Sequence, residues 1–332
     1  MSGSRKKPAR RHHVVPKFYL RRFSNDREQL TRLPLGGNPH PQSINDATVQ
    51  KDFYALGAGG ENSDAFEKIL AALEQEAAPA FVRVVDSDAW PPSFEDRYAI
   101  CSWIALQHLR TEAIRTSGEE IYRSMSKLEV GVSTTGQMRE NLGLGEDVPD
   151  QKIEEIRARM LATADTFKVD NIHHLRAIAE MLPGMTNLVR YRPWALIRFK
   201  KRALGTSDTP VGLVPHPDVP HIGTTLGGAS KILVPLGRRV GLCLGGLGGY
   251  GAFGKCPEGV LTGTTSQARL FNEVTVRNAR RVLYHHPEDS PFAGMSLPEP
   301  RLSEVNIPHG QINGLIEGWA KTQGRASGLP HH

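Results

Sequence analysis

Five residues in this chain have types and spacings that could do chemistry: His12, His13, Gln107, Arg110 and Asp208. Adjacent histidines on an extended segment point to opposite sides. One of them can then act as a base or metal ligand while the other bonds the backbone, or the pair can simply pin the N-terminus onto the body. Gln107 and Arg110, three apart, share a helix face and can together hold a planar anion or carboxylate. Trp103 and Ile114 continue the same apolar seam, where a guanidinium is costly unless paired. Its partner is either an anionic ligand or a structural carboxylate such as Asp208, Glu67 or Glu74. Glu67 and Glu74, about two turns apart, could face a divalent ion or act as an acid/base pair, or could be ordinary surface carboxylates. Asp208, in Ser207-Asp208-Thr209-Pro210, suits both a turn that caps backbone N–H groups and a general base at a strand end.

Other patterns carry less. HH-x-V-P is similar to the short His-containing strand of His-metal finger nucleases. The continuation KFYLRRFSND offers only Asn25 where that family places a metal-binding Asn or His on a helix. Gly249-x-Gly251-x-x-Gly254 has dinucleotide-fingerprint spacing, and Gly249 to Gly254-Lys255 has phosphate-loop spacing. Both need a helix to follow, and Cys256-Pro257-Glu258-Gly259 is not one. The run reads as a glycine-rich loop between strands. His173-His174 and His285-His286 lack metal spacing and read as solvated or capping residues.

The elements that must position these residues belong to a chain of 332 residues, 39% apolar and 23% charged, enough to bury a sizeable core. Three cysteines, Cys101, Cys243 and Cys256, make no C-x-x-C pair, which argues against a disulfide scaffold or thiolate zinc site and for a reducing cytoplasm. No run of about 18 apolar residues is present, so no membrane association is expected. The formal charge is +6, yet Arg5, Lys6, Lys7, Arg10, Arg11, Lys17, Arg21 and Arg22 are eight cations with no acid among residues 1–22, and removing them leaves −2. The basic character belongs to one arm, suited either to phosphate-backbone attraction to RNA or DNA or to solubility alone.

Residues 1–11 are expected as a disordered basic arm. Pro16 suits a helix start before Phe18, Tyr19, Leu20 and Phe23. A loop or hairpin covers 34–45. Apolar positions Phe66, Ile69, Leu70, Leu73 and Ala77 recur at three and four, the mark of a helix. Ser93 and Asp96 form a capping-box-like pair before YAICSWIALQHL, which has nine apolar residues in twelve and reads as a central buried helix. Residues 131–150 read as a polar linker and 151–181 as one helix ending near Pro183-Gly184. Beyond Tyr191, WALIRF, KILVPL, RVGLCL and ARRVLYHH are strand-like runs between Gly and Pro. The expectation is α+β: a mainly helical region, 12–190, packed on a small β-rich region, 191–286, of the same domain. A tail, 287–332, carries a short helix near 311–321.

Taken together, HHVVPKFYLRRF, QKDFYAL, LEQEAAPAF, LQHLRTEAIR, RPWAL, GTSDTPV and ILVPL occur in a recognisable order. The chain resembles an uncharacterised bacterial domain-of-unknown-function family with an N-terminal His-His-x-Val-Pro-x-Phe-Tyr-Leu signature, over His12 to about His286. The resemblance implies a cytoplasmic bacterial protein and supplies no reaction. It directs attention to His12, His13, Gln107, Arg110, Ser207 and Asp208.

Two functions compete. One is a hydrolase of the phosphodiesterase or nuclease type, acting on nucleic acid or another phosphate-containing anion, with a divalent Mg or Mn ion as its candidate cofactor. In it His12 or His13 is the base, Gln107 and Arg110 clamp the anion, and Asp208 orients the histidine or binds metal. The other is a non-catalytic protein that docks nucleic acid or a partner through the basic arm. Substrate and oligomeric state are not specified by these residues.

Overall fold

A computed structural model describes residues 11–51, 63–87, 89–164, 171–216, 224–246 and 258–301. In chain order the elements are β1 (Arg11–His13), α1 (Lys17–Leu20), β2 (Gln29–Pro34), β3 (His40–Ser43), β4 (Val49–Lys51), α2 (Ser63–Phe81) and α3 (Phe94–Leu109). Then follow α4 (Glu112–Val132), α5 (Thr135–Leu142), α6 (Asp150–Thr163), α7 (Asn171–Arg190), β5 (Trp194–Phe199), β6 (Thr206–Ser207), β7 (Gly212–Val214) and β8 (Lys231–Gly237). The last are β9 (Val240–Leu244), β10 (Gly259–Gly263), α8 (Thr265–Asn278) and β11 (Val282–His285). The class is α+β, with the helices mostly in the first half.

The chain divides into two compact units, one of residues 1–114 and 171–302, the other of 115–170 and 303–332. In the first, a five-stranded sheet runs β10-β5-β9-β8-β7, antiparallel except for the parallel β10–β5 pair. Both faces of this sheet are buried, and alternation along each strand sorts its side chains between them. Ala195, Ile197, Phe199 and Leu233 pack with Ala268, Phe271 and Val274 of α8. Trp194, Leu196, Val234 and Leu242 face the main core, which also holds Phe81, Ile100, Trp103 and Ile104. Helix α3 packs against both α2 and α7. Ser93 caps α3 by accepting the Asp96 N–H at 3.1 Å, as its sequence indicates.

The N-terminal segment is part of this core. Val15, Tyr19, Leu20 and Phe23 are fully buried. The Tyr19 ring lies 4.9 Å from that of Trp103 and 5.3 Å from that of Phe23. Its phenol donates to Pro235 O at 2.7 Å and shares a 2.8 Å hydrogen bond with Thr206 Oγ1. Burial holds its pKa above the ordinary tyrosine value.

Several expectations are corrected. Arg11 is not in a disordered arm but pairs with Lys51 in β1–β4. Strand structure is not confined to 191–286, because β2 and β3 join β11 and β6 in a four-stranded sheet ordered β3-β2-β11-β6. The polar stretch 131–150 contains α5, opened by a Thr134–Gln137 capping box. The single helix expected over 151–181 is α6 and α7, and α7 runs through Pro183 to Arg190. Helix α8 stands inside the expected β-rich region, with its own Thr264–Gln267 capping box. In the second unit α5 packs on α6, and Arg139 bonds Val148 O and Asp150. Residues 1–10, the glycine run from 247 to 257 and the tail helix near 311–321 lie outside the described residues.

Candidate functional site

A cavity of about 320 Å³ opens in the first unit, where the four-stranded sheet meets the β1–β4 pair and the end of α3. Its wall includes Val14, Arg32, His40, Thr48, Gln50, Thr111, Glu112, Asp208, Arg280, Arg281 and Tyr284. The volume suits a small polar ligand or one unit of a polymer.

Asp208 follows β6 and is tied to the strand beside it. Its N–H donates to Val282 O at 3.1 Å. One carboxyl oxygen accepts the Arg280 N–H at 3.0 Å and the other the Arg281 N–H at 2.8 Å. Each carboxylate oxygen has two lone pairs, so these bonds leave one on each. Burial pushes the carboxyl up to about 6, although the two backbone N–H groups and the Arg280 charge pull the other way. The group is therefore poised to exchange a proton close to neutral pH. Turn chemistry and acid/base capacity, alternatives in the sequence, coexist in one side chain. Ser207 has only the turn role: its Oγ donates to Thr209 O at 2.9 Å and accepts the Thr209 N–H at 3.1 Å.

Around Asp208 the charges alternate. Arg281 bonds Glu112 at 2.6 Å, and Glu112 also accepts from Gln50 at 3.4 Å. Arg32 bonds the Tyr284 phenol, whose pKa burial raises to about 12, so the phenol stays neutral. That phenol accepts the Thr48 N–H at 3.3 Å. Thr48 has φ 57°, a left-handed conformation unusual for a β-branched residue. Its hydroxyl donates to Val15 O at 2.9 Å and its carbonyl accepts the Val14 N–H at 3.1 Å. A strained threonine thus seats the His12–Val15 segment at the cavity edge.

Of the five residues singled out in the sequence, Asp208 alone lines the cavity. His13 and Arg110 are each one residue away from a lining position, Val14 and Thr111 respectively, so their segments converge on one wall. His12 is buried in β1, and His13 is half-buried with its Nδ1 3.1 Å from Ala47 O. Gln107 and Arg110 are fully buried at the end of α3, and Arg110 takes Glu74 as its carboxylate, at 2.8 Å. The side chain of Glu67 lies outside the described residues. His285 and His286 are buried in a turn: His285 Nδ1 contacts His286 O at 2.9 Å and His286 Nδ1 accepts the Glu288 N–H at 3.2 Å.

Of the arm's cations, Arg5, Lys6, Lys7 and Arg10 lie outside the described residues, as does the side chain of Arg11. Lys17 donates to Asn45 at 2.8 Å, Arg21 bonds Glu28 at 2.9 Å, and Arg22 bonds Asp86 and Leu236 O. No group of three His, Cys, Asp or Glu arranged to hold a metal ion exists among the described residues. No described helix is long and apolar enough to cross a membrane.

The model of a family described as protein of unknown function, DUF4238, matches residues 11–289. The chain belongs to that family. No curated protein and no solved structure matches it. The DUF4238 match starts at the β1 strand and stops just past β11, so it takes in every segment that lines the cavity.

Sequence reasoning missed Arg32, Thr48, Arg280 and Tyr284. The adjacent arginines at the start of the ARRVLYHH strand were a visible signal. Arg32 carried none, because β2 reaches the site only through its pairing with β11 at the far end of the chain.

Proposed function

We propose that this DUF4238 protein is a hydrolase of phosphate-containing anions, with nucleic acid the favoured class, and that Asp208 rather than a histidine moves the proton. The observation that carries the reading is the placement of the Asp208 carboxyl, pushed up to about 6, in an open cavity beside Arg32 and Arg280. The arginines would receive the phosphoryl oxygens and the charge that builds on them. Asp208 would take a proton from water as its oxygen bonds to phosphorus. The P–O bond to the leaving group breaks, and the proton passes from Asp208 to the departing oxygen. His12 and His13 then hold the wall through β1, and the anion clamp moves from Gln107 and Arg110 to the cavity arginines.

The basic arm fits this reading as a recruitment device. Recruitment falls to Arg5, Lys6, Lys7, Arg10 and Arg11, since Lys17, Arg21 and Arg22 already have partners within the fold. A divalent ion is not used in this scheme, because the described residues offer it no three-ligand cluster. The test is hydrolysis of pooled single- and double-stranded DNA and RNA by the wild-type chain and by Asp208→Asn. The variant should lose about 10²–10⁴-fold in rate, the usual contribution of a positioned base. Equal rates from the two proteins would remove Asp208 from the chemistry.

A further inference from the structure

Helix α3 carries a second polar feature, away from the cavity wall. Trp103, Gln107 and Arg110 follow one another at spacings of four and three, so they lie on one face. All are buried to within 1%. The Trp103 indole Nε1, both amide atoms of Gln107, and Nε and Nη2 of Arg110 have no hydrogen-bond partner among the described residues. Buried polar atoms are almost always bonded, and a run of unpartnered ones along two helical turns is not a packing device.

Arg192 shows what this chain does with a buried guanidinium that has only a structural task. It is equally enclosed, and it gives Nη1 to Ala229 O and Gly245 O and Nη2 to Leu226 O and Gly227 O. Arg110 instead spends only Nη1, on Glu74. The edge formed by Nε and Nη2 is left over, and that edge matches two oxygens of a carboxylate or phosphate side by side. Trp103 adds a third donor and the Gln107 amide nitrogen a fourth. Gln107 Oε1 can only accept, so the ligand must also carry a proton on an oxygen.

We propose that the Trp103–Gln107–Arg110 seam is an enclosed binding site for a small proton-bearing oxyanion of the hydrogen phosphate type. The site is independent of the Asp208 chemistry. Because it is enclosed, its ligand exchanges slowly and stabilises the fold by mass action.

The test compares thermal melting of the full chain in inorganic phosphate and in sulfate at matched ionic strength and neutral pH. Phosphate keeps a proton there and sulfate does not. The purified protein is also denatured and the released small anions identified. The expected result is a saturable rise in Tm of several degrees with phosphate and far less with sulfate, or release of a proton-bearing oxyanion in stoichiometric amount. Gln107→Leu should fold and lose the phosphate-specific response. Arg110→Lys should weaken it about tenfold, since an ammonium cannot supply the fork. Equal responses to the two salts, or an undiminished phosphate response in Gln107→Leu, would overturn the site. So would the absence of any response together with no released oxyanion, which would leave the seam to water.

Discussion

The Asp208 carboxyl accepts the Arg281 backbone N–H at 2.8 Å, and this bond locks the end of β6 to the start of β11. The same carboxyl is half-buried and pushed up to about 6. The folded chain therefore holds this proton more tightly than the unfolded one, whose aspartates titrate near about 3.9. The stability it contributes is complete below the unfolded value and is lost as pH rises through about 6, on the order of 3 kcal/mol. Denaturant midpoints measured across that interval should fall with rising pH in the wild type. The slope should be flatter in Asp208→Asn.

Removal of the Tyr19 hydroxyl should cost about 1–3 kcal/mol, because Pro235 O and Thr206 then lose a buried partner. Tyr19→Phe keeps the ring packed on Trp103, so urea denaturation should report that loss with an unchanged m-value.

Arg192→Met should be far more damaging, at about 3–5 kcal/mol. Four carbonyls depend on that one guanidinium, whose pKa burial lowers to about 10. It remains charged at neutral pH, so the loss should be independent of pH between about 6 and 8.

A methyl group at Gly241 would approach the Phe271 ring to 2.6 Å, with no space to receive it. Gly241→Ala should therefore lift α8 from the sheet and cost about 1–3 kcal/mol, readable as a lower Tm.

Much of the fold was legible because local patterns were strong. The Ser93 cap, the apolar α3 and the alternating runs of β5, β8 and β9 each announce an element without help from the rest of the chain. Helix α8 escaped notice because its neighbours are strands and its apolar positions, Ala268, Phe271 and Val274, are sparse between polar ones. The continuity of α7 through Pro183-Gly184 was hidden for the opposite reason, since tertiary packing on α3 outweighs the local breakers. At the site, Asp208 was legible from its strand-end turn. Its partners were not, since Thr48 and Arg32 meet Tyr284 only after the two ends of the chain pair as β2 and β11.

The arm makes a separate expectation. Deleting residues 1–10 should reduce the salt dependence of nucleic-acid binding by a slope of about 0.7–0.9 for each phosphate that the arm no longer neutralises, with no change in Tm. Arg22→Ala should do the reverse, lowering Tm because Asp86 and Leu236 O lose their partner.

The pH–rate profile of phosphoester hydrolysis tests the central claim most directly. With Asp208 as the base, the rate should climb to a plateau through about pH 6, and Asp208→Asn should be slow and flat across that limb. A wild-type profile without that limb, or a limb that survives in Asp208→Asn, would contradict the account.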